Sequence, residues 1–290
     1  MTLATTASGA GRSPLRHLPV LAALLAAAAV VLLALGPVGW RAGWWHFRFA
    51  FQTLMPWAAY CGIAALAVSA VVLLLGRSRI EWRGVAVAIV AFAVGLLIAY
   101  VPWHYDRMRT AVPPIHDITT DPDNPPAFAA AVVAARTADG GNPATYEGAK
   151  IAEQQRQAYP DIAPVSLALT PAAAFNRALD AAQRMGWTIL AADDTAGHIE
   201  ASDRSRWFGF IDDIVIRVSP SGKGSRIDVR SASRVGGGDF SVNAARIETY
   251  LSALRATPGV ARASSSAGPA GWRPVRRVKS AGIFTVELRD

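Results

Sequence analysis

Side chains that could take part in chemistry fall into two groups, and the first lies just after residue 110. His116 is followed by Asp117, Asp121 and Asp123, which are residue types that could bind a metal ion. Their spacing lacks the glycine turn and the distal glutamate of a calcium-binding loop. Hydrogen bonds that hold an extended segment explain these residues more simply, so we predict neither a metal ion nor a cofactor.

The second group consists of charged residues that alternate with apolar residues along predicted strands. Successive side chains of a strand point to opposite faces of a sheet, so one face would carry His198, Glu200, Asp213, Arg217, Asp228, Arg230 and Arg234. The simpler interpretation is a solvated face with cross-strand ion pairs, each contributing about 0.2–1 kcal/mol. The alternative is a face that receives the proline-rich segment, a partner chain or an anionic ligand, since paired arginines suit bidentate binding of carboxylate or phosphate.

Under this alternative, the predicted ligand or partner face consists of His116, Asp117, Asp121, Asp213, Arg217, Arg230 and Arg234. Asp212 points away from its neighbour Asp213, so the two carboxylates cannot act together on one bond. Asn243 and Arg246 lie one turn apart on a predicted helix and could face Asp212 or Asp213. We therefore predict a structural polar network of Asp212, Asp239, Asn243 and Arg246, in which Asp239 caps that helix.

A hydrolase is the enzymatic alternative. Ser231 or Ser233 could act as a nucleophile with His116 and Asp117, next to the Arg230–Arg234 strand. The sequence has no Gly-x-Ser-x-Gly elbow, however, and serines at alternate strand positions are usually small residues that face inward. The sequence therefore favours a non-enzymatic role, and we predict no catalytic residues.

Two loops could take part in binding. Gly236–Gly238 precedes a predicted helix, as an anion-binding loop does, but its spacing fits neither nucleotide-binding glycine motif, and a tight turn is the simpler interpretation. The aromatic loop Arg206–Phe210 could contact a membrane or a partner, or it could be buried. Both interpretations of the aromatic loop remain open at this point.

Three apolar runs must position these groups relative to a membrane. The chain has 290 residues, 52% hydrophobic and only 17% charged, with a mean hydropathy of +0.26. Uncharged runs long enough for a bilayer of about 30 Å predict three transmembrane helices at about 18–35, 54–75 and 84–103. Five arginines precede the first run or lie in the loop between the second and third runs, whereas two lie in the first loop. This distribution favours a cytoplasmic N-terminus, which places the C-terminal part outside the cytoplasm. In a Gram-negative cell that side is the periplasm.

The basic excess belongs to the membrane part and not to a nucleic-acid surface. The net charge of +8 is concentrated in residues 1–110, whereas residues 111–259 carry more acidic than basic groups. Nucleic-acid binding is therefore disfavoured. The single cysteine, Cys61, excludes a disulfide framework.

The C-terminal half predicts an α+β fold. Prolines make residues 104–161 an extended segment with two short helices, Ala127–Ala135 and Glu147–Tyr159. The core, residues 162–257, predicts an antiparallel sheet with two helices packed on one face, in the order β-α-β-β-β-β-α. Its predicted elements are Pro164–Leu169, a helix from Thr170, Trp187–Ala192, His198–Ser202, Asp212–Val218, Arg226–Val235 and Ser241–Leu254.

Three blocks of this half resemble one known family. Pro113–Asp121, Asp212–Val218 and Arg230–Ile247, in this order, resemble the signature of domain-of-unknown-function family 1499 over about residues 110–257. The resemblance implies a bacterial, membrane-attached member of that family. It implies no activity and no cofactor.

Together these patterns predict an anchored binding or scaffolding module of the cell envelope. A cytoplasmic tail, residues 1–17, precedes a transmembrane region at 18–103, and a basic tail, residues 258–290, follows the domain. The expected partners are the lipid bilayer and an envelope protein or anionic ligand. The basic stretch Trp272–Lys279 could be a surface arm near anionic headgroups.

Overall fold

The computed structural model describes residues 14–75 and 80–256. The predictions for the N-terminal residues before Pro14, including Arg12, and for the 258–290 tail therefore lie outside the described residues, as do Arg77 and Arg79.

Three long helices are apolar enough to cross a membrane, as predicted from the sequence. A 3₁₀ turn at Pro14–His17 leads into helix α1, and helix α2 continues through a π-helical turn at Ala50–Leu54 into helix α3. The four helices of this part are α1 (Leu18–Arg41), α2 (Phe47–Phe49), α3 (Met55–Leu75) and α4 (Trp82–Ala111).

Helix α4 is longer than its apolar run. It continues past residue 103 to Ala111, where the sequence predicted extended chain from residue 104. Val112 then adopts an extended backbone with φ −132° and ψ 151°, because Pro113 and Pro114 follow and proline disfavours helix at the preceding residue. The helix therefore ends at the prolines and not where the sequence changes from apolar to polar residues.

The helices pack closely through small residues. A side chain at Gly95 would come within 2.6 Å of the main-chain oxygen of Gly62, so the backbones of α3 and α4 nearly touch there. Most of the buried residues in the other contacts are alanines, namely Ala22, Ala26, Ala29, Ala58, Ala65 and Ala91. Close contact through small residues is the usual way in which helices associate in lipid.

The domain is built on a six-stranded antiparallel sheet. Its strands lie in the order β1-β6-β5-β4-β3, and β2 pairs with β6 beside β1, so that β1 and β2 share one edge. The strands are β1 (Asp117–Thr119), β2 (Val165–Leu167), β3 (Thr188–Asp193), β4 (His198–Arg204), β5 (Ile211–Ser221) and β6 (Gly224–Ser233).

Two helices cover one face of the sheet, and the predicted α+β fold is confirmed. Helix α7 (Pro171–Arg184) begins after Thr170, whose hydroxyl accepts the Ala173 N–H at 3.4 Å, and helix α8 (Val242–Ala256) lies beside it. Their apolar sides pack on the strand residues that alternate with the charged ones. These include Ile199, Ile214, Ile216, Ile227 and Val229.

Two features of the proline-rich segment differ from the prediction. The short strand β1 was not predicted, since three residues between prolines show no alternation. Helix α5 (Ala130–Ala138) begins later than the predicted Ala127, and no side chain caps its start. Instead, the Ala129 N–H donates to the Glu200 carboxylate on the sheet at 2.5 Å, so tertiary packing fixes this helix start. Helix α6 (Ala149–Ala158) follows.

Candidate functional site

The charged face of the sheet is covered by the chain itself. Residues 112–147, which we call the covering segment, first pair with the edge of the sheet as β1 and then run over this face between β1 and α6. Asp213, Asp228 and Arg230 are no more than 2% exposed. The expected solvated ladder is therefore wrong, because the segment that the alternative interpretation named as one possible occupant lies on this face.

Arg230 in strand β6 is at the centre of the covered face. Its Nε and Nη2 atoms donate to the two carboxylate oxygens of Asp117 at 2.9 and 2.7 Å. It also donates to the main-chain oxygens of Pro126 (3.1 Å) and Ala144 (2.8 Å). The ring of Phe128 lies 4.7 Å from the guanidinium carbon. One buried arginine thus holds both ends of the covering segment.

A second buried arginine was missed in the sequence. Arg136 of helix α5 donates to Asp213 at 2.8 Å and to the main-chain oxygens of Ala232 and Ser233. Arg234 donates to the same Asp213 carboxylate at 2.8 Å. The available signal was weak: Arg136 is the only charge in the run of small apolar residues from Pro125 to Thr137.

A third group of ion pairs lies nearer to solvent. Arg217 donates to Asp121 at 3.1 Å and to Asp228 at 3.0 Å, and Arg226 donates to the same two carboxylates. Sequence reasoning did not single out Arg226. Apart from His116, the predicted face residues therefore form three ion-pair groups, each joining the covering segment to the sheet, and not one open cleft.

The covered face also has an apolar part. Phe128 and Val132 of the covering segment pack against Val215 and Ala232 of the sheet. Val215 is a single apolar residue on the charged side of β5, and the alternation argument did not assign it a partner. This small second core shows that the segment is packed on the sheet as a layer.

His116 is buried and does not join a catalytic group. Burial lowers the pKa of its imidazole from the ordinary value of a histidine, because the apolar surroundings disfavour the charged ring. Its main-chain oxygen accepts hydrogen bonds from Ser233 N–H (2.9 Å) and Asn243 Nδ2 (3.0 Å). The Ser231 hydroxyl donates to Asn243 Oδ1 at 2.6 Å, and the Ser233 hydroxyl accepts from Asn243 Nδ2 at 2.9 Å. Both hydroxyls are thus hydrogen-bonded to Asn243.

The structure brings the residues of the predicted polar network together on the helix side of the sheet. Arg246 donates to Asp212 at 2.6 Å and to Asp203 at 3.0 Å. It also bonds the Asn243 side chain. Asp239 accepts the N–H groups of Ser241 and Asn243 at the start of α8. Burial raises the pKa of Asp239 to about 6.

The aromatic loop Arg206–Phe210 is packed on the apolar N-terminal helices. Phe208 is buried and stacks on Phe51 at 4.9 Å between ring centres, and Phe210 lies 5.6 Å from Phe47. Arg41, the last residue of α1, donates to the main-chain oxygen of Arg206 at 2.8 Å. The loop therefore fixes the domain to the end of the helix bundle, while Trp207 remains 50% exposed.

Metal-binding potential can be assessed over residues 14–75 and 80–256. Within them, no three His, Cys, Asp or Glu side chains are grouped so that they could hold a metal ion. Asp121 is paired with two arginines, and Asp123 with Arg156 at 2.6 Å. These two carboxylates of the covering segment help to hold it in place through their ion pairs.

Comparison with known families identifies the domain. Residues 117–254 match the model of the family described as protein of unknown function (DUF1499). The α+β domain of this chain thus matches this family, in agreement with the resemblance of the three sequence blocks. A search of curated proteins finds no match.

Proposed function

We propose that this protein is a membrane-anchored binding or scaffolding module of the cell envelope, with its α+β domain outside the cytoplasm. The observation that carries the proposal is the covered face. The charged residues that could have served chemistry there are engaged in ion pairs that hold residues 112–147 on the sheet. The rest of the domain surface is what remains for contact with a partner.

Strand β3 offers the clearest contact surface on that remainder. It is the last strand of the sheet order, so its outer edge has no neighbouring strand among the described residues. Leu190 on this strand is 47% exposed. An open strand edge with an exposed apolar side chain can pair with an extended segment of another protein.

In-cell photo-crosslinking tests the proposal. A photoreactive residue is placed at Leu190, and the matched control carries it at Lys223, in the turn between β5 and β6. We expect Leu190 to give one discrete protein adduct that Lys223 does not give. Identical adducts at both positions, or no adduct from Leu190, would contradict a specific partner at this edge.

A second measurement separates the module from the envelope hydrolase, the alternative that would use His116, Asp117 and the Arg230–Arg234 strand. The full chain in detergent is assayed with chromogenic ester, phosphate and peptide substrates, alongside the His116→Ala variant. We expect no turnover above that of empty membranes. Turnover that His116→Ala abolishes without lowering the thermal midpoint would replace the proposal with the hydrolase.

A further inference from the structure

A group of arginines lies where the domain meets the membrane helices. Arg41 ends the first apolar span, and its guanidinium lies against Gly209 and the main-chain oxygen of Arg206. Arg204 and Arg206 are exposed on the domain side of the same junction. Arg48 is exposed next to Phe47, whose ring contacts Phe210. We call these four residues, Arg41, Arg48, Arg204 and Arg206, the junction arginines.

The junction arginines differ from the arginines of the sheet in their partners. Arg136, Arg230 and Arg234 each bind a carboxylate at 2.7 to 2.8 Å. Among the residues that the structure describes, no carboxylate lies within ion-pair distance of a junction arginine. These three buried arginines thus have carboxylate partners within the protein, whereas the junction arginines are available to an external anion.

Exposed tryptophans accompany the junction arginines. Trp44 follows the end of α1 and is 63% exposed, and Trp207 lies beside Arg206. Tryptophan with arginine at the end of an apolar helix is the combination found at headgroup depth, because the indole ring prefers the membrane–water boundary and the guanidinium binds phosphate. The side chains therefore match an anionic lipid surface in both polarity and charge.

We infer that the junction arginines bind the headgroups of anionic phospholipids in the leaflet on the domain's side, and so hold the 206–210 loop at the membrane surface. This inference rests on the membrane anchoring proposed above, but it does not depend on which leaflet faces the cytoplasm. An arginine near an anionic surface strengthens lipid association by about fivefold at low ionic strength. The association should weaken with salt, since exposed charges are screened.

Spin-labelled lipids test the inference on the full chain reconstituted in phosphatidylcholine membranes. Spin-labelled phosphatidylglycerol is compared with spin-labelled phosphatidylcholine, and the motionally restricted fraction gives the relative affinity of each lipid for the protein. We expect the wild-type chain to prefer phosphatidylglycerol severalfold. The ratio of the two affinities should fall towards one in the Arg204→Gln/Arg206→Gln double variant, and also for the wild type in about 0.5 M salt. These two side chains make no hydrogen bond or ion pair with another described residue, so the variant should fold.

Lys223→Gln provides the control. Lys223 lies in the hairpin at the far end of β5, a strand of 11 residues, roughly 30 Å from the junction at 3.3 Å per residue. This variant should keep the preference of the wild-type chain. Equal affinity for the two lipids in the wild type, or an unchanged preference in the arginine variant, would overturn the inference. Absence of any restricted lipid would instead refute membrane anchoring itself.

Discussion

At the scale of single residues, the buried ion pairs determine whether the covering segment stays on the sheet. The Asp117→Ala variant should lose about 3–5 kcal/mol of stability, because it leaves the buried Arg230 guanidinium without its carboxylate. The thermal midpoint of the full chain in detergent and the protease resistance of residues 112–147 measure this effect.

Asp123→Ala provides the matched control for that change. It also removes a carboxylate from an arginine pair, but Asp123 and Arg156 are both exposed. No measurable loss of stability is expected, since exposed pairs are screened by water. If both variants lose equal stability, the burial argument for Asp117 is wrong.

The pH dependence of stability should carry a contribution from Asp239. Its pKa is raised from 3.8 to about 6 by burial, so the folded state binds a proton more tightly than the unfolded state. This group therefore stabilises the fold progressively as pH falls from about 6 to about 4, and it opposes folding above that window. Denaturant titrations of wild type and Asp239→Asn at pH 7 and pH 4.5 measure the difference. A wild-type pH dependence equal to that of the variant would refute the assignment.

The residue-scale predictions from sequence succeeded where strand alternation applies. It placed Asp212 and Asp213 on opposite faces, and the structure gives them separate partners, Arg246 and Arg136. It could not find Arg136 itself, because a helical arginine shows no period that reveals a partner 77 residues away. The burial of the charged face depends on long-range contacts of the same kind, which local sequence does not show. For this reason the solvated interpretation of that face was preferred, and it was wrong.

At the scale of elements, the 206–210 loop links the sheet to the helix bundle. Phe208→Ala removes the ring that stacks on Phe51 and should raise hydrogen exchange at the loop amides, including Phe210 N–H, which is bonded to Ser205. Exchange in strand β6 should not change, since that strand is held by both neighbours. The measurement uses mass spectrometry of the full chain in nanodiscs.

Trp207→Ala is the comparison for the loop. It removes a larger ring from the preceding position, but Trp207 is 50% exposed. The loop amides should therefore stay protected from hydrogen exchange. Faster exchange in Trp207→Ala than in Phe208→Ala would show that the loop is held by the tryptophan and not by the buried phenylalanines.

Element prediction was accurate for regular segments and poor for irregular ones. The strand and helix order of the core followed from alternation and from the Thr170-Pro171 helix start. Strand β1 and the start of α5 did not, because both are set by partners on the sheet: β6 pairs with Asp117–Thr119, and Glu200 binds the Ala129 N–H. Local sequence carries little information about an element whose hydrogen bonds come from distant residues.

At the scale of the whole molecule, the order of the helices places the domain at one end of the bundle. The end of α1 and the start of α2 contact the domain through the 206–210 loop, and α4 leads into the covering segment. The start of α4 lies at the opposite end, because Gly84 is next to Pro19 at the start of α1. The orientation of the chain in the membrane is therefore known once it is known whether the end of the bundle that carries the domain faces the cytoplasm.

Cysteine labelling answers that question. Lys223→Cys places a thiol in the exposed β5–β6 turn, while the natural Cys61 lies within the apolar helix α3 and should not react with a membrane-impermeant maleimide. Five arginines precede the first span or lie in the second loop, against two in the first loop, and this distribution favours retention of the N-terminal side in the cytoplasm. We therefore expect the new thiol to react in intact spheroplasts. Reaction only in inverted vesicles would place the domain, its β3 edge and the junction arginines on the cytoplasmic leaflet, and the envelope role would be wrong even though the lipid contact would stand.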